Sequence, residues 1–240
     1  MRIGILQNDN ATPAMLPFGD IPALFARFLG GRGFSFLSFR CREMVFPDSP
    51  FSCDGWLVSG SRHGAYEDLP FIDPLQGFIR ATHAAGVPMV GICFGHQIMA
   101  QALGGTVEKF AGGWGIGATE YAFGGERLVL NAFHQDQVIE PPPGAQTIAS
   151  TLFCRHAALD YGGRALSFQP HPELDDPVMA ALIAEARGEV PDVALDAAEA
   201  GLGRQLDNAR AADRIAEFFH AARRNAANIP PSSNPMKESC

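Results

Sequence analysis

The sequence lacks the features that mark nucleic-acid, membrane, metal or disulfide chemistry. Basic residues never cluster beyond Arg223-Arg224 and the formal charge is −8; a nucleic-acid surface needs Lys and Arg concentrated on one face, so no nucleic-acid partner is expected. No run approaches the roughly 18 uninterrupted apolar residues of a membrane-spanning helix. The first residues, MRIGILQNDN, turn polar too soon for a signal peptide and carry no small-residue cleavage site, which makes the cytoplasm the expected compartment and leaves no membrane role. The five cysteines (Cys41, Cys53, Cys93, Cys154 and Cys240) are odd in number and irregularly spaced, without a Cys-x-x-Cys pair, so no disulfide framework is expected. The seven histidines show no His-Glu-x-x-His spacing, and neither a metal nor another cofactor is implied.

What is present is a chain of 240 residues, 47% hydrophobic, enough for a substantial core. RIGILQ, FSFLSF, DGWLVSG and VPMVGIC are β-type runs. Between the first two, PFGDIPALFARFLGG puts Ile21, Leu24, Phe25, Phe28 and Leu29 on one helical face; between the last two, DPLQGFIRATHAAG is a helix started by Asp73-Pro74. This alternation means right-handed βαβ crossovers and a mostly parallel sheet covered on both faces, the α/β class. Residues 94 to 104 form the next helix, stopped by Gly104-Gly105. From 105 to 170, TVEKFAG, GATEYAF, ERLVLNAF, QTIAST, HAALDY and RALSFQ are short runs separated by glycine and proline, which predict hairpins or an antiparallel edge. A helix returns at Asp176-Pro177 with Val178, Leu182, Ile183 and Ala186 in register, and a last one over 204 to 224 carries Leu206, Ile215, Phe218, Phe219 and Ala222. The simplest partition is one α/β domain over 1–187, a C-terminal helical extension over 188–227, and a disordered tail over 228–240.

Two motifs carry chemistry. GICFG, at the end of an apolar strand and the start of a helix, has the form glycine-x-nucleophile-x-glycine. A turn that sharp strains the central residue, and Gly91 and Gly95 remove Cβ atoms that would clash. The thiol of Cys93 then stands at the carboxyl edge of the sheet over a helix N-terminus, which favours thiolate, and the N–H of Phe94 faces the place where a carbonyl oxygen becomes negative. Alone, the motif also reads as a buried apolar cysteine on an ordinary strand-to-helix turn. In SFQPHPELDDP, prolines 170 and 172 bias Gln169 and His171 to extended backbone. Positions i and i+2 then face one way, so Glu173 can orient the imidazole of His171. Alone, this pair also reads as a strand-end histidine beside a helix-capping acid.

Together, and in this order, GICFGHQ and HPE resemble the class I (triad) glutamine amidotransferase family, whose signature is a Gly-x-Cys-x-Gly-x-Gln elbow followed by His-Pro-Glu. The resemblance runs over residues 1 to 187. An α/β-hydrolase would place its acid before the histidine. The resemblance implies a three-layer, flavodoxin-like sheet with an antiparallel extension, and a Cys93, His171, Glu173 triad. It also implies an oxyanion hole from the amides of Phe94 and of Gly60 in LVSGSRHGAYED, and it carries Gln97, Ser61 and, in AFHQDQV, His134 to the substrate pocket. The implied activity is hydrolysis of a γ-glutamyl amide, in glutamine or a small γ-glutamyl peptide, through a thioester on Cys93. Three departures resemble the standalone branch that includes γ-glutamyl peptidases. Gly60-Ser61-Arg62 replaces the Gly-Gly-Pro turn of synthetase-coupled members, His134-Gln135-Asp136 replaces a His-Gly loop, and Pro170 stands where an aromatic residue commonly precedes His-Pro-Glu. Two alternatives are a glutaminase subunit delivering ammonia to a separate synthetase partner, and a non-catalytic binding protein of the same fold. The C-terminal helices are open to three uses: covering the domain, a homodimer contact, or docking a partner.

Overall fold

The first strand, β1 (Arg2–Gln7), is buried at every position but its first, the unbroken apolar run that a sheet covered on both faces demands. In the computed structural model, which describes residues 1–227, it is followed by α1 (Ile21–Phe28), β2 (Ser35–Arg40), β3 (Gly55–Val58), α2 (Ile72–Ala84), β4 (Met89–Ile92) and α3 (Phe94–Ala102). Then come β5 (Thr106–Lys109), β6 (Gly115–Phe123), β7 (Glu126–His134), β8 (Asp136–Glu140), β9 (Gln146–Ala149), β10 (Ala158–Asp160) and β11 (Ala165–Phe168). The chain continues through α4 (Asp176–Glu185), α5 (Asp192–Ala200) and α6 (Asn208–Ala227). The tail expected over 228–240 lies outside the described residues. Helix starts follow local chemistry: the carboxylate of Asp20 accepts from Ala23 N–H at 2.9 Å with Pro22 in the first turn of α1, and Asp175 does the same for Val178 at 3.2 Å, ahead of Pro177 in α4.

Seven strands form one sheet in the order β2-β1-β3-β4-β11-β10-β9. The five from β2 to β11 run parallel, and the β11-β10 and β10-β9 pairings are antiparallel. One face is packed by α1 and α6 through Ile21, Phe25, Leu29, Ala212, Ile215 and Phe219. The other is packed by α2 and α3 through Ile72, Leu75, Ile79, Ile98 and Met99. This is the expected three-layer α/β architecture. Outside the sheet, β6 and β7 form a continuous hairpin from Gly115↔His134 to Phe123↔Glu126, and β5 pairs with β8.

Four details differ from the sequence reading. RALSFQ is more than the second strand of a hairpin: β11 pairs antiparallel with β10 as expected, but its other edge lies parallel to β4 inside the sheet, Ser167 opposite Gly91 and Phe168 opposite Ile92. Its fully buried ALSF fits a two-sided interior as well as an edge, and local pattern does not distinguish them. Residues 136–140 form β8, where the sequence reading placed a loop, since DQVIE shows no alternation. Residues 192–200 form α5, whose Leu195 and Ala198 pack against Val178 and Ile183 of α4. The last helix starts at Asn208, with Leu206 ahead of it. Among the described residues no helix is long and apolar enough to cross a membrane.

The carboxyl ends of the parallel strands converge. Gln7 at the end of β1, Ser59 after β3, Cys93 after β4 and Gln169 after β11 are all buried. Buried polar groups at that edge are where open α/β sheets bind ligands.

Candidate active site

Cys93 sits between β4 and α3 at φ 53°, ψ −109°, left-handed backbone that costs a non-glycine residue about 1–3 kcal/mol. The flanking glycines make the turn sterically feasible. A Cβ at Gly95 would stand 2.0 Å from Val58 O, and one at Gly91 would stand 2.5 Å from Gly95 O; β3, β4 and α3 are closer there than any side chain allows. The strand partner holds the elbow from below, Cys93 N–H donating to Phe168 O at 2.8 Å. As the first residue of α3, Phe94 presents an N–H with no acceptor inside the helix, at its positive end.

The second half arrives on the neighbouring strand. β11 ends at Phe168, and Gln169 N–H donates to Ala157 O at 2.8 Å. His171 N–H then donates to Asn131 O of β7 at 2.8 Å, a one-residue bridge that keeps the backbone extended. The extended course expected through Glu173 stops there: Pro172 and Glu173 form a turn closed by Leu174 N–H on His171 O at 3.3 Å, and this turn brings His171 Nδ1 2.7 Å from Glu173 Oε1, with both side chains nearly buried. With Nδ1–H donated to the carboxylate, Nε2 is left for a partner on the other side. Cys93 lies close by: a Cβ at Gly60 would stand 3.2 Å from His171 Cε1 and 3.8 Å from Cys93 Cβ. Cysteine, imidazole and the Gly60 backbone thus surround one small space. Burial disfavours the charged imidazole, but the sulfur of Cys93 and the carboxylate of Glu173 facing it outweigh that and hold His171 well above the ordinary histidine range.

Gly60 itself belongs to a tied loop. Asp9, after β1, is buried and accepts from Arg62 N–H at 3.0 Å, Arg62 Nε at 2.9 Å and Arg42 Nη1 at 2.6 Å. Ser61 Oγ accepts from His63 N–H at 3.2 Å, a bond within its own loop. Gln97, one turn along α3 from the cysteine, is buried and donates to Asp136 O at 2.8 Å and to Gln169 Oε1 at 3.2 Å. It therefore joins α3, β11 and the turn into β8. His134, at the end of β7, is buried with Nδ1 3.2 Å from Asp136 O. Burial pushes its pKa down to about 4, so it is a neutral imidazole beside the cleft. Gln169, which the motifs did not single out, lies with Nε2 3.7 Å from Cys93 Sγ. The signal for it was its position, two residues ahead of His171 at a strand end. Asp9 and Asn131 carried a different signal: polar residues beside apolar strand runs, which must find partners once buried.

Residues 47–183 match the family model described as glutamine amidotransferase class-I. A glutamine amidotransferase-like protein of Schizosaccharomyces pombe is 31% identical over 142 residues, 55% of this chain and 57% of that one. Gamma-glutamyl peptidase 4 of Arabidopsis thaliana is 29% identical over 189 residues, 70% of this chain and 75% of the relative. The crystal structure of a glutamine amidotransferase from Methylobacillus flagellatus superposes with TM-score 0.75 at 23% identity, covering 97% of this chain and 98% of the other, a likeness of fold. The elbow and the His-Pro-Glu turn both fall inside the matched residues, and the chain belongs to the class I glutamine amidotransferase family.

Proposed function

We propose that this chain hydrolyses γ-glutamyl amides through a covalent thioester on Cys93, acting on a small γ-glutamyl compound without a synthetase. The observation that carries the proposal is the shared space at Gly60, which puts the Cys93 Cβ and the His171 ring around one point while Glu173 holds the far side of that ring. In this reading the Cys93 thiolate attacks the γ-carbonyl carbon, and the carbonyl π pair moves to oxygen, where the N–H groups of Phe94 and Gly60 stabilise it. As the oxyanion collapses, the C–N bond breaks and the His171 imidazolium passes its proton to the leaving amine. Water, deprotonated by the now neutral His171, attacks the thioester and releases glutamate and the thiolate. The raised pKa of His171 supports its part, because the imidazolium must exist at neutral pH to protonate the amine. The similarity to a gamma-glutamyl peptidase over 70% of the chain supports the choice of substrate class.

The test is a panel of glutamine, γ-glutamyl dipeptides and glutathione, followed by glutamate release and by mass spectrometry of the intact protein, with Cys93→Ala as control. The expected result is release from peptides, a γ-glutamyl adduct on Cys93 and a loss of at least about 10³-fold in the variant, the scale of removing a nucleophile. Release from glutamine only when a second protein is added would replace the reading with that of a glutaminase subunit. Absence of an adduct with every compound would leave a binding protein of this fold.

A further inference from the structure

We propose that Asn208, the first residue of α6, is a positioning residue for the His171-Pro172-Glu173 turn, so that the C-terminal helix takes part in the chemistry from outside the matched family residues 47–183. The inference rests on the reading above, in which His171 and Glu173 act as a pair.

The turn is short of supports of its own. Leu174 N–H closes it onto His171 O at 3.3 Å. Glu173 Oε1 meets the imidazole, but Oε2 is buried and has no hydrogen-bond partner among the described residues. The carboxylate is therefore aimed by the backbone that carries it, and not by a second bond to its head. The backbone atom next along, Leu174 O, is held from two sides. Asn131 Nδ2 of β7 and Asn208 Nδ2 of α6 each donate to it at 3.1 Å, filling both lone pairs of one carbonyl. Leu174 itself is buried among Leu24, Val178 and Met179, so this carbonyl is the turn's fixed point.

Asn208 can act as a strut because α6 is anchored on both sides of it. Asp207 N–H donates to Val129 O and Asp207 Oδ2 accepts from Val129 N–H, both at 2.8 Å. Val129 precedes Asn131 by two residues on the same edge of β7, the edge whose next carbonyl receives His171 N–H. Ala212, Ile215 and Phe219 bury the rest of the helix against the sheet, and Arg210 and Arg214 both pair with Glu126 at the start of β7. One edge of β7 thus carries the helix at 129 and the histidine at 131, and the Asn208 carboxamide closes the loop between them through Leu174. Losing it leaves the turn hinged on Asn131 alone.

Two variants of the full chain test the role. Asn208→Ala removes the donor. Asn208→Asp keeps the shape, replaces the donor with acceptor oxygens, and puts a negative charge in the first turn of a helix, where it favours the helix. The expected result is that Asn208→Asp stays folded, with a melting temperature lowered by no more than the loss of one hydrogen bond, kcat lowered about threefold to tenfold, the span of that bond, and KM changed less than about twofold. A second readout needs no substrate: the NMR titration of the His171 imidazole, which faces Cys93, Glu173 and His134. Its midpoint falls in Asn208→Asp when Glu173 is no longer held 2.7 Å from Nδ1. Folded variants that keep the wild-type kcat and the wild-type His171 midpoint would overturn the inference. If the wild-type chain cleaves no γ-glutamyl compound, the proposed function fails, while the His171 midpoint still decides the strut. If Asn208→Ala unfolds, Asn208→Asp alone decides.

Discussion

The two halves of the candidate site are built by opposite means. The elbow at Cys93 is a steric object: Gly91 and Gly95 let three backbones meet where a Cβ would stand 2.0 to 2.5 Å from a carbonyl oxygen, and the strained turn follows from its few neighbours. The His171-Glu173 half is a polar object, hung from β7 by two hydrogen bonds to Asn131 and from α6 by one to Asn208. Crowding fixes a position once and tolerates no variation. A hydrogen-bonded turn is held in many small steps, each of which can be loosened without collapse. The comparison predicts that the first half fails by unfolding and the second by losing rate.

The largest expected effect belongs to the polar half. Glu173→Gln keeps the shape of the side chain and removes the charge that faces His171. With tautomer and orientation no longer enforced, kcat should drop by about 10²- to 10⁴-fold, as when the acid of a related triad becomes an amide. The basic limb of the kcat/KM profile should move to lower pH, because Glu173 is one of the groups holding His171 above its ordinary range. A raised imidazole pKa stabilises the fold most below the free-histidine value of about 6.5, and that stabilisation is lost as pH rises through the raised midpoint. The stability gap between wild type and variant should therefore be widest in mild acid and close in base. A gap that instead widens in base would show that the pair does not act as drawn.

The steric half comes next. Gly95→Ala would force α3 away from Val58, an overpacking with no flexible side chain to yield, and it should destabilise the fold by about 3 kcal/mol or more. Urea unfolding measures this. If the variant folds with wild-type stability yet loses turnover, the elbow is held by something other than crowding, and the contrast between the halves fails.

The same contrast explains what could be read in advance. The elbow was legible because its requirements lie within five consecutive residues. The spacing of His171 and Glu173 was legible, but not the backbone that pairs them: Pro170 and Pro172 announce extended chain, in which i and i+2 align, whereas residues 172 and 173 form a turn closed by Leu174 N–H on His171 O. The layered α/β order was legible in the alternation of apolar runs. The place of β11 was not, since ALSF pairs with β4 from far along the chain and its composition fits edge and centre alike. Nor were the struts: Asn131 inside LVLNAF and Asn208 at a helix start each hold Leu174, and only three dimensions bring them to one carbonyl. Asn131 at least left a clue, since a polar side chain in so apolar a strand must be satisfied somewhere.

Asp9 offers the smallest effect and combines both ideas, a hydrogen-bonded tie supporting the loop that carries Gly60. Burial pushes its carboxyl up, but the N–H groups of Arg62 and Asn10 and the Arg62 guanidinium outweigh it and hold Asp9 below the usual carboxylate range. The arginines themselves are 40% and 57% exposed, so solvent screens the pairs, and Asp9→Asn should cost about 1 kcal/mol. A carboxyl with a depressed pKa stabilises the fold above its unfolded value of about 3.9 and stops doing so as pH falls through the folded midpoint. The melting-temperature gap between wild type and Asp9→Asn should therefore be full at pH 7 and shrink below about pH 4. Because Gly60 rides on the same loop, kcat should fall about twofold to fivefold with the proposed oxyanion donor less well placed. A full gap at pH 3 would mean that shape, and not charge, ties the loop, and would move Asp9 to the crowded half of the comparison.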